Sequence, residues 1–125
     1  MIQHVSLESR RSDGDALVAF FALLGFREVE PPPALRERSR WLQAGPTQVH
    51  LLWTDEPAHV PKGHLAVVAD DYDATVAALR EAGHEVEPRT EHWGFPRAYV
   101  RSPGGHLVEL MSVPPDADRD VARGA

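Results

Sequence analysis

The chain nearly repeats itself. Gly25 to Pro31 reads GFREVEP and Gly83 to Pro88 reads GHEVEP. His4, Val5, Ser6, Leu7 returns as His64, Leu65, Ala66, Val67, and Val49, His50, Leu51, Leu52 returns as Val108, Glu109, Leu110, Met111. A half-length unit that recurs with its order intact is expected to fold the same way twice, so each half predicts the other. Period-two alternation over residues 2–7 predicts a strand with Ile2, His4 and Ser6 on one face and Val5 and Leu7 on the other. Ser12 or Asp13 can cap a helix whose Leu17, Phe20, Phe21 and Leu24 recur at three- and four-residue steps, with Gly25 suited to its C′ position. A short strand over 26–30, a proline break at 31–33, an exposed hairpin around 36–40, and strands over 40–44 and 47–53 complete the first half.

After a connector at 55–62 the order begins again. A strand over 64–69 leads to a helix capped by Asp70 or Asp71, with Tyr72, Val76 and Leu79 on one stripe and Gly83 at its end. An extended segment at 84–87 and strands over 97–101 and 107–111 follow, the last two flanking the turn Ser102, Pro103, Gly104, Gly105. The expected fold is α+β, with two βαβββ modules (1–53 and 64–113) forming a curved mixed sheet with helices on its convex face. Residues 114–125 are a polar tail. At 125 residues and 42% hydrophobic content, one core serves both modules.

Alternation then sorts the chemistry. Val5 and Leu7, Val49 and Leu51, Leu65 and Val67, Ala98 and Val100, and Val108 and Leu110 form apolar faces that pack under helices. The opposite faces gather His4, Ser6, Gln48, His50, His64, Arg97, Tyr99 and Glu109. Burying these without partners is costly, so that side either meets water or binds something. The chain has no cysteine, so any metal must be held by His, Asp or Glu, and His4, His50, His64 and Glu109 occupy equivalent positions in the two halves. Plain solvation of a polar sheet face is the competing account. Trp93 and Phe95, on a loop before the strand bearing Tyr99, are candidates to cover a pocket, and Arg97 and Arg101 could grip an anionic group. His59, His84, His92 and His106 fall in connectors or turns, are expected to be solvated, and receive no role.

Net charge −6 argues against nucleic acid or an anionic membrane as partner and leaves a small molecule. No apolar run approaches a membrane span and no basic-then-apolar leader opens the chain, so the default address is cytoplasmic. Signatures of the type GxSxG, GxGxxG, HExxH and the P-loop are missing.

These residues resemble the vicinal oxygen chelate superfamily, also called the glyoxalase, bleomycin resistance and extradiol dioxygenase family. The carriers are His4 and Val5 opening the first strand, Phe20 with Leu23, Leu24, Gly25 and Phe26 where the family has FY..LLGF, and His64 opening the second half. Ser102, Pro103, Gly104, Gly105, His106 followed by Val108, Glu109, Leu110 stands where the family favours DPDGN.IEL. The resemblance covers residues 1–113 and implies a single glyoxalase-like domain, usually a homodimer. It implies a divalent metal (Fe, Mn, Ni, Co or Zn) on His4, His64 and Glu109, with His50 at the fourth position, where lyases and epimerases tend to carry Glu or Gln. Glu109 or His50 would move a proton, Tyr99 would face the substrate, and Gln48, Trp93, Phe95 and Arg97 would line its pocket. The implied activity is that of a lyase, isomerase or dioxygenase on a small substrate with adjacent oxygens. A metal-free binding protein of the bleomycin resistance kind is the alternative.

Overall fold

In the computed structural model, which describes residues 1–116, the first half is a βαβββ unit. Strand β1 (His4–Ser9) passes through a 3₁₀ turn at Arg11–Asp13 into helix α1 (Gly14–Leu23), followed by β2 (Arg27–Val29), β3 (Ser39–Ala44) and β4 (Thr47–Trp53). The second half repeats the order with β5 (Leu65–Val68), α2 (Tyr72–Glu81), β6 (Val86–Pro88), β7 (Arg97–Arg101) and β8 (Leu107–Met111). The sheets run β1-β4-β3-β2 and β5-β8-β7-β6. In each, the first strand lies parallel to the last and the other pairs are antiparallel. The α+β architecture of paired modules therefore holds. The two sheets are hydrogen-bonded separately, and among the described strands β1 and β5 each stand at an edge. The expected tail, 114–125, lies for the most part outside the described residues.

The helices start and stop for local reasons. The Asp71 carboxylate accepts from the Ala74 N–H at 3.1 Å, capping α2 as its sequence implies. Asp13 stands at the equivalent place before α1 but makes no side-chain cap, because the 3₁₀ turn delivers the chain already in helical conformation. Gly25 and Gly83 end both helices at φ 93° and 92°, the left-handed conformation that the C′ position requires.

Apolar faces of both sheets and both helices share one core. Phe20, fully buried on α1, meets Phe21 edge-on at 5.2 Å and reaches His84 of the second module at 5.0 Å. His106, in the turn before β8, bonds through Nε2 to the Glu8 carbonyl of β1 at 2.7 Å. The modules are thus locked together and cannot swing without opening the core. The hairpin expected around 36–40 is instead a 3₁₀ turn at Pro33–Leu35 that feeds β3 directly. Arg40, on β3, is taken up by Glu28 at 2.7 Å and Asp15 at 2.8 Å, and its guanidinium holds the Glu28 carboxyl below the usual carboxylate range.

Candidate functional site

Strand register sets the site. Trp41, His50 and Ser6 lie side by side across β3, β4 and β1, and Gln43, Gln48 and His4 form the next row. In the second module Tyr99, Glu109 and Ala66 occupy the row equivalent to Trp41, His50 and Ser6, with His64 just ahead of β5. The repeated sequence places ligand-type side chains at corresponding points of two separate sheets.

On the first sheet three rings stack. Trp41 lies on His50 at 3.9 Å with planes 5° apart, and His50 lies on His4 at 4.1 Å and 17°. His50 is 7% exposed, and this burial, with the nearby His4, holds its pKa below the ordinary imidazole value. Its Nε2 is 2.8 Å from Gln48 Oε1, Gln48 Nε2 donates to Gln43 Oε1 at 2.9 Å, and Gln43 Nε2 donates to the Gly45 carbonyl at 3.1 Å. His4 Nδ1 bonds Gln3 Oε1 at 2.7 Å.

The second sheet is charged rather than stacked. His64 Nε2 stands 3.0 Å from Glu109 Oε1, and Arg97 Nη1 stands 3.3 Å from Glu109 Oε2. Glu109 is 5% exposed and Arg97 8%. Arg97 Nε donates to the Thr90 carbonyl at 2.7 Å, and its guanidinium lies 5.7 Å from the Trp93 ring and 5.6 Å from that of Tyr99. A cavity of about 880 Å³ opens beside His64 and Tyr99, with Lys62, Arg89 and Arg101 in its walls.

The predicted residues therefore gather as two pairs, His4 with His50 and His64 with Glu109. Among the described residues no group of three or more His, Asp or Glu stands ready to hold a metal ion. Arg97 turns to Glu109, and neither it nor Gln48, Trp93 or Phe95 is in the walls of the large cavity. The Trp93 indole N–H is bonded to the Val113 carbonyl at 2.7 Å.

His106 was missed by sequence reasoning, which expected a solvated turn residue. It is 7% exposed, with Nδ1 accepting from the Ser102 hydroxyl at 2.7 Å while Nε2–H donates to Glu8. Burial holds its pKa below the ordinary value. The signal was the four-residue spacing of Ser102 and His106 across a Pro-Gly-Gly turn, which lets side chains at its two ends meet.

The model of the Glyoxalase/Bleomycin resistance protein/Dioxygenase superfamily matches residues 2–110. The chain belongs to this superfamily. No curated protein sequence matches it. Among solved structures, the genomically encoded fosfomycin resistance protein from Listeria monocytogenes superposes with a TM-score of 0.78 at 16% identity, over 98% of this chain and 97% of that one. Lactoylglutathione lyase from Agrobacterium tumefaciens gives 0.68 at 23%, over 89% and 92%. The bleomycin resistance determinant encoded on the transposon Tn5 gives 0.65 at 21%, over 86% and 93%. At these identities the likeness establishes the fold alone. No helix of this glyoxalase-superfamily chain among the described residues is long and apolar enough to cross a membrane.

Whether a divalent metal suits this superfamily member can be judged at His64. Its Nδ1 faces the Lys62 carbonyl at 2.9 Å, an acceptor, so Nδ1 carries the hydrogen. In the neutral ring Nε2 then presents a lone pair to a carboxylate oxygen 3.0 Å away. Two acceptors at that distance call for a cation between them, a proton or a metal ion. Imidazole and carboxylate are the right donors for a first-row divalent metal. The residues fit it as two half-sites, and the chain by itself completes neither.

Proposed function

We propose that this protein is a homodimeric, divalent-metal-dependent enzyme, a lyase, isomerase or dioxygenase acting in the cytoplasm on a small substrate with adjacent oxygen atoms. The observation that carries the proposal is the His64 and Glu109 pair, Nε2 3.0 Å from Oε1, with the histidine oriented by a backbone carbonyl. His4 supports it from the other module, because its Nδ1 is also engaged and its Nε2 is left available. Among the described residues one chain brings no third donor to this pair, so a second copy would bring its first module to the second module of this one. Among the described strands β1 and β5 each end a sheet, and within one chain Ser6 of β1 and Leu65 of β5 line one cavity with His64.

In this arrangement His4 of one copy and His64 and Glu109 of the other would hold a divalent metal. The metal, when bound, supplies Lewis-acid polarisation of adjacent substrate oxygens. The chain's own part is to orient and to move protons. Arg97 fixes Glu109, and the Tyr99 hydroxyl would face the substrate beside His64 in the cavity that the two residues line. Fe, Mn, Ni, Co and Zn all suit the donor set.

Subunit complementation tests this. His4→Ala and His64→Ala proteins are each expected to lose tight metal uptake and activity. Refolded together in equal amounts, they should regain about a quarter of the wild-type sites, because half of the dimers are mixed and each mixed dimer holds one intact site. A site built within one chain would regain none, and uptake unaffected by either substitution would end the metal proposal. Arg97 favours a second reading, a metal-free small-molecule binding protein, since it already offers Glu109 a cation. Ligand binding that survives His64→Ala, with no metal in the purified protein, would establish that reading instead.

A further inference from the structure

We propose that Arg101, with Lys62 beside the same cavity, anchors an oxyanion group of the ligand, a carboxylate or a phosphoryl group carried apart from the atoms that react at His64. The inference rests on the reading above only in seating the ligand in the cavity that His64 and Tyr99 line. It begins with alternation along β7, which puts Arg97, Tyr99 and Arg101 on one face of the second sheet. Tyr99 lies between Glu87 of β6 and Glu109 of β8, Arg97 lies opposite Met111, and Arg101 lies opposite Leu107. The tyrosine thus has a carboxylate on either side and an arginine on either end.

Both of those carboxylates are taken. Arg97 meets Glu109 at 3.3 Å, and Arg89 meets Glu87 at 2.9 Å with its guanidinium 4.9 Å from the Tyr99 ring. Of the two arginines that the sequence offers to an anionic group, Arg97 is therefore committed inside the protein, and Arg101 is left. Neither Arg101 nor Lys62 pairs with a carboxylate among the described residues, Glu85 in the same wall included. What Arg101 has is a carbonyl. Its Nη1 donates to the Gly105 oxygen at 3.1 Å, a bond that fixes the guanidinium without neutralising it. Lys62 is tied to the site through its backbone, whose carbonyl accepts from His64 Nδ1 at 2.9 Å.

In a chain of net charge −6 most of the surface repels anions, so two cations with no carboxylate of their own mark where one can enter. An exposed ion pair contributes little when both partners must be immobilised. A guanidinium already held by a carbonyl gives up less freedom, and its fork can grip two oxygens of one anion at once.

The test uses metal-free protein at constant ionic strength set with sodium chloride. Inorganic phosphate and malonate are titrated separately while backbone amide shifts are followed. Saturable movement at Lys62, His64, Tyr99 and Arg101 is expected with at least one of the two, and the tighter binder tells a phosphoryl ligand from a carboxylate. Arg101→Gln should weaken that binding about 10- to 100-fold, the range of a charge-assisted contact. Arg101→Lys keeps the charge and loses the fork, so it should recover only part of the loss. Arg36→Gln removes an exposed arginine that pairs with Glu30 outside these walls and should leave the affinity unchanged. Shifts that saturate with neither anion, an equal loss in Arg36→Gln, or an Arg101→Gln protein that keeps its amide spectrum and binds as wild type does would each overturn the inference. Because no metal is present, such a failure leaves the metal reading standing, and a protein that takes up no metal but binds the anion through Arg101 upholds the anchor alone.

Discussion

Arg97 and Glu109 form an ion pair with both side chains buried. Arg97→Met keeps the length and apolar stem of the side chain and removes its charge, so the loss measured is chiefly that of the guanidinium. Removing one partner of a buried pair costs about 3–5 kcal/mol, because the other charge stays behind in a poor solvent for it. Here the lower end applies. Glu109 keeps its contact with His64, whose side chain is 29% exposed and lets water approach, and the Arg97 contact is a long one at 3.3 Å. The Thr90 carbonyl loses its donor as well, but Thr90 is exposed and water replaces it. The expected loss is therefore about 3 kcal/mol, or roughly 10–15 °C in Tm for a chain of this length. Thermal unfolding of Arg97→Met, Glu109→Gln and the double variant checks it. If the pair acts as described, the double variant should lose about 1.5–3 kcal/mol less than the sum of the single losses. A drop under about 3 °C for Arg97→Met, or strict additivity, would refute the account of Arg97 as the group that holds Glu109.

Two further outcomes follow from the fold. His106 is held neutral by burial and by His59 against its ring, which together outweigh the opposing pull of the Glu8 carbonyl and of Asp13, so its folded pKa lies below its unfolded one. The unfolded chain then binds the extra proton first, and this share of stability, whole above the unfolded value, is lost as pH falls below about 6.5, at up to about 1.4 kcal/mol per pH unit, levelling off below the folded pKa. Comparing Tm of wild type and His106→Gln from pH 7.5 to 5.5 should show the gap narrowing with acid, and a constant gap would exclude the linkage. Asp71→Ala removes the α2 cap and should cost about 1 kcal/mol in chemical unfolding, whereas Asp13→Ala, which removes no cap bond, should cost much less.

The sequence shows a face more readily than an orientation. β4, β7 and β8 have the ends that alternation assigns, because each has one face in the core and a slip of one residue would invert it. The glycines that end α1 and α2 were legible for a backbone reason that needs no tertiary contact. Arg97 was harder. It lies opposite Met111 and diagonal to Glu109, a relation that exists only once β7 and β8 are in register. His106 binds a carbonyl 98 residues away, which no local pattern could announce. The grouping of the four ligand-type residues was hidden for the same reason. Period two says that His4 and His50 share a face and that Glu109 and His64 share another, but the angle between modules is set by Phe20, His84 and the rest of the shared core.

Duplication alone would have given two equal half-sites, and the two have diverged in charge. At one position stands His50, neutral, stacked and tied into an amide relay; at its counterpart stands Glu109, anionic, with Arg97 on its second oxygen. The difference has an electrostatic consequence for the proposed site. A divalent ion held by one carboxylate and neutral imidazoles keeps a net positive charge, which a carboxylate at position 50 would cancel. Because Coulomb attraction inside a partly dry site is several times stronger than in water, that residual charge would favour an oxygen that gains negative charge during reaction over one that stays neutral. Arg97 pushes the same way, since it draws on Glu109 from behind and lowers the charge that the carboxylate presents to its front. The burial that holds His50 below the ordinary imidazole pKa and the guanidinium that tempers Glu109 would thus act to one end, a more electrophilic centre in the proposed site.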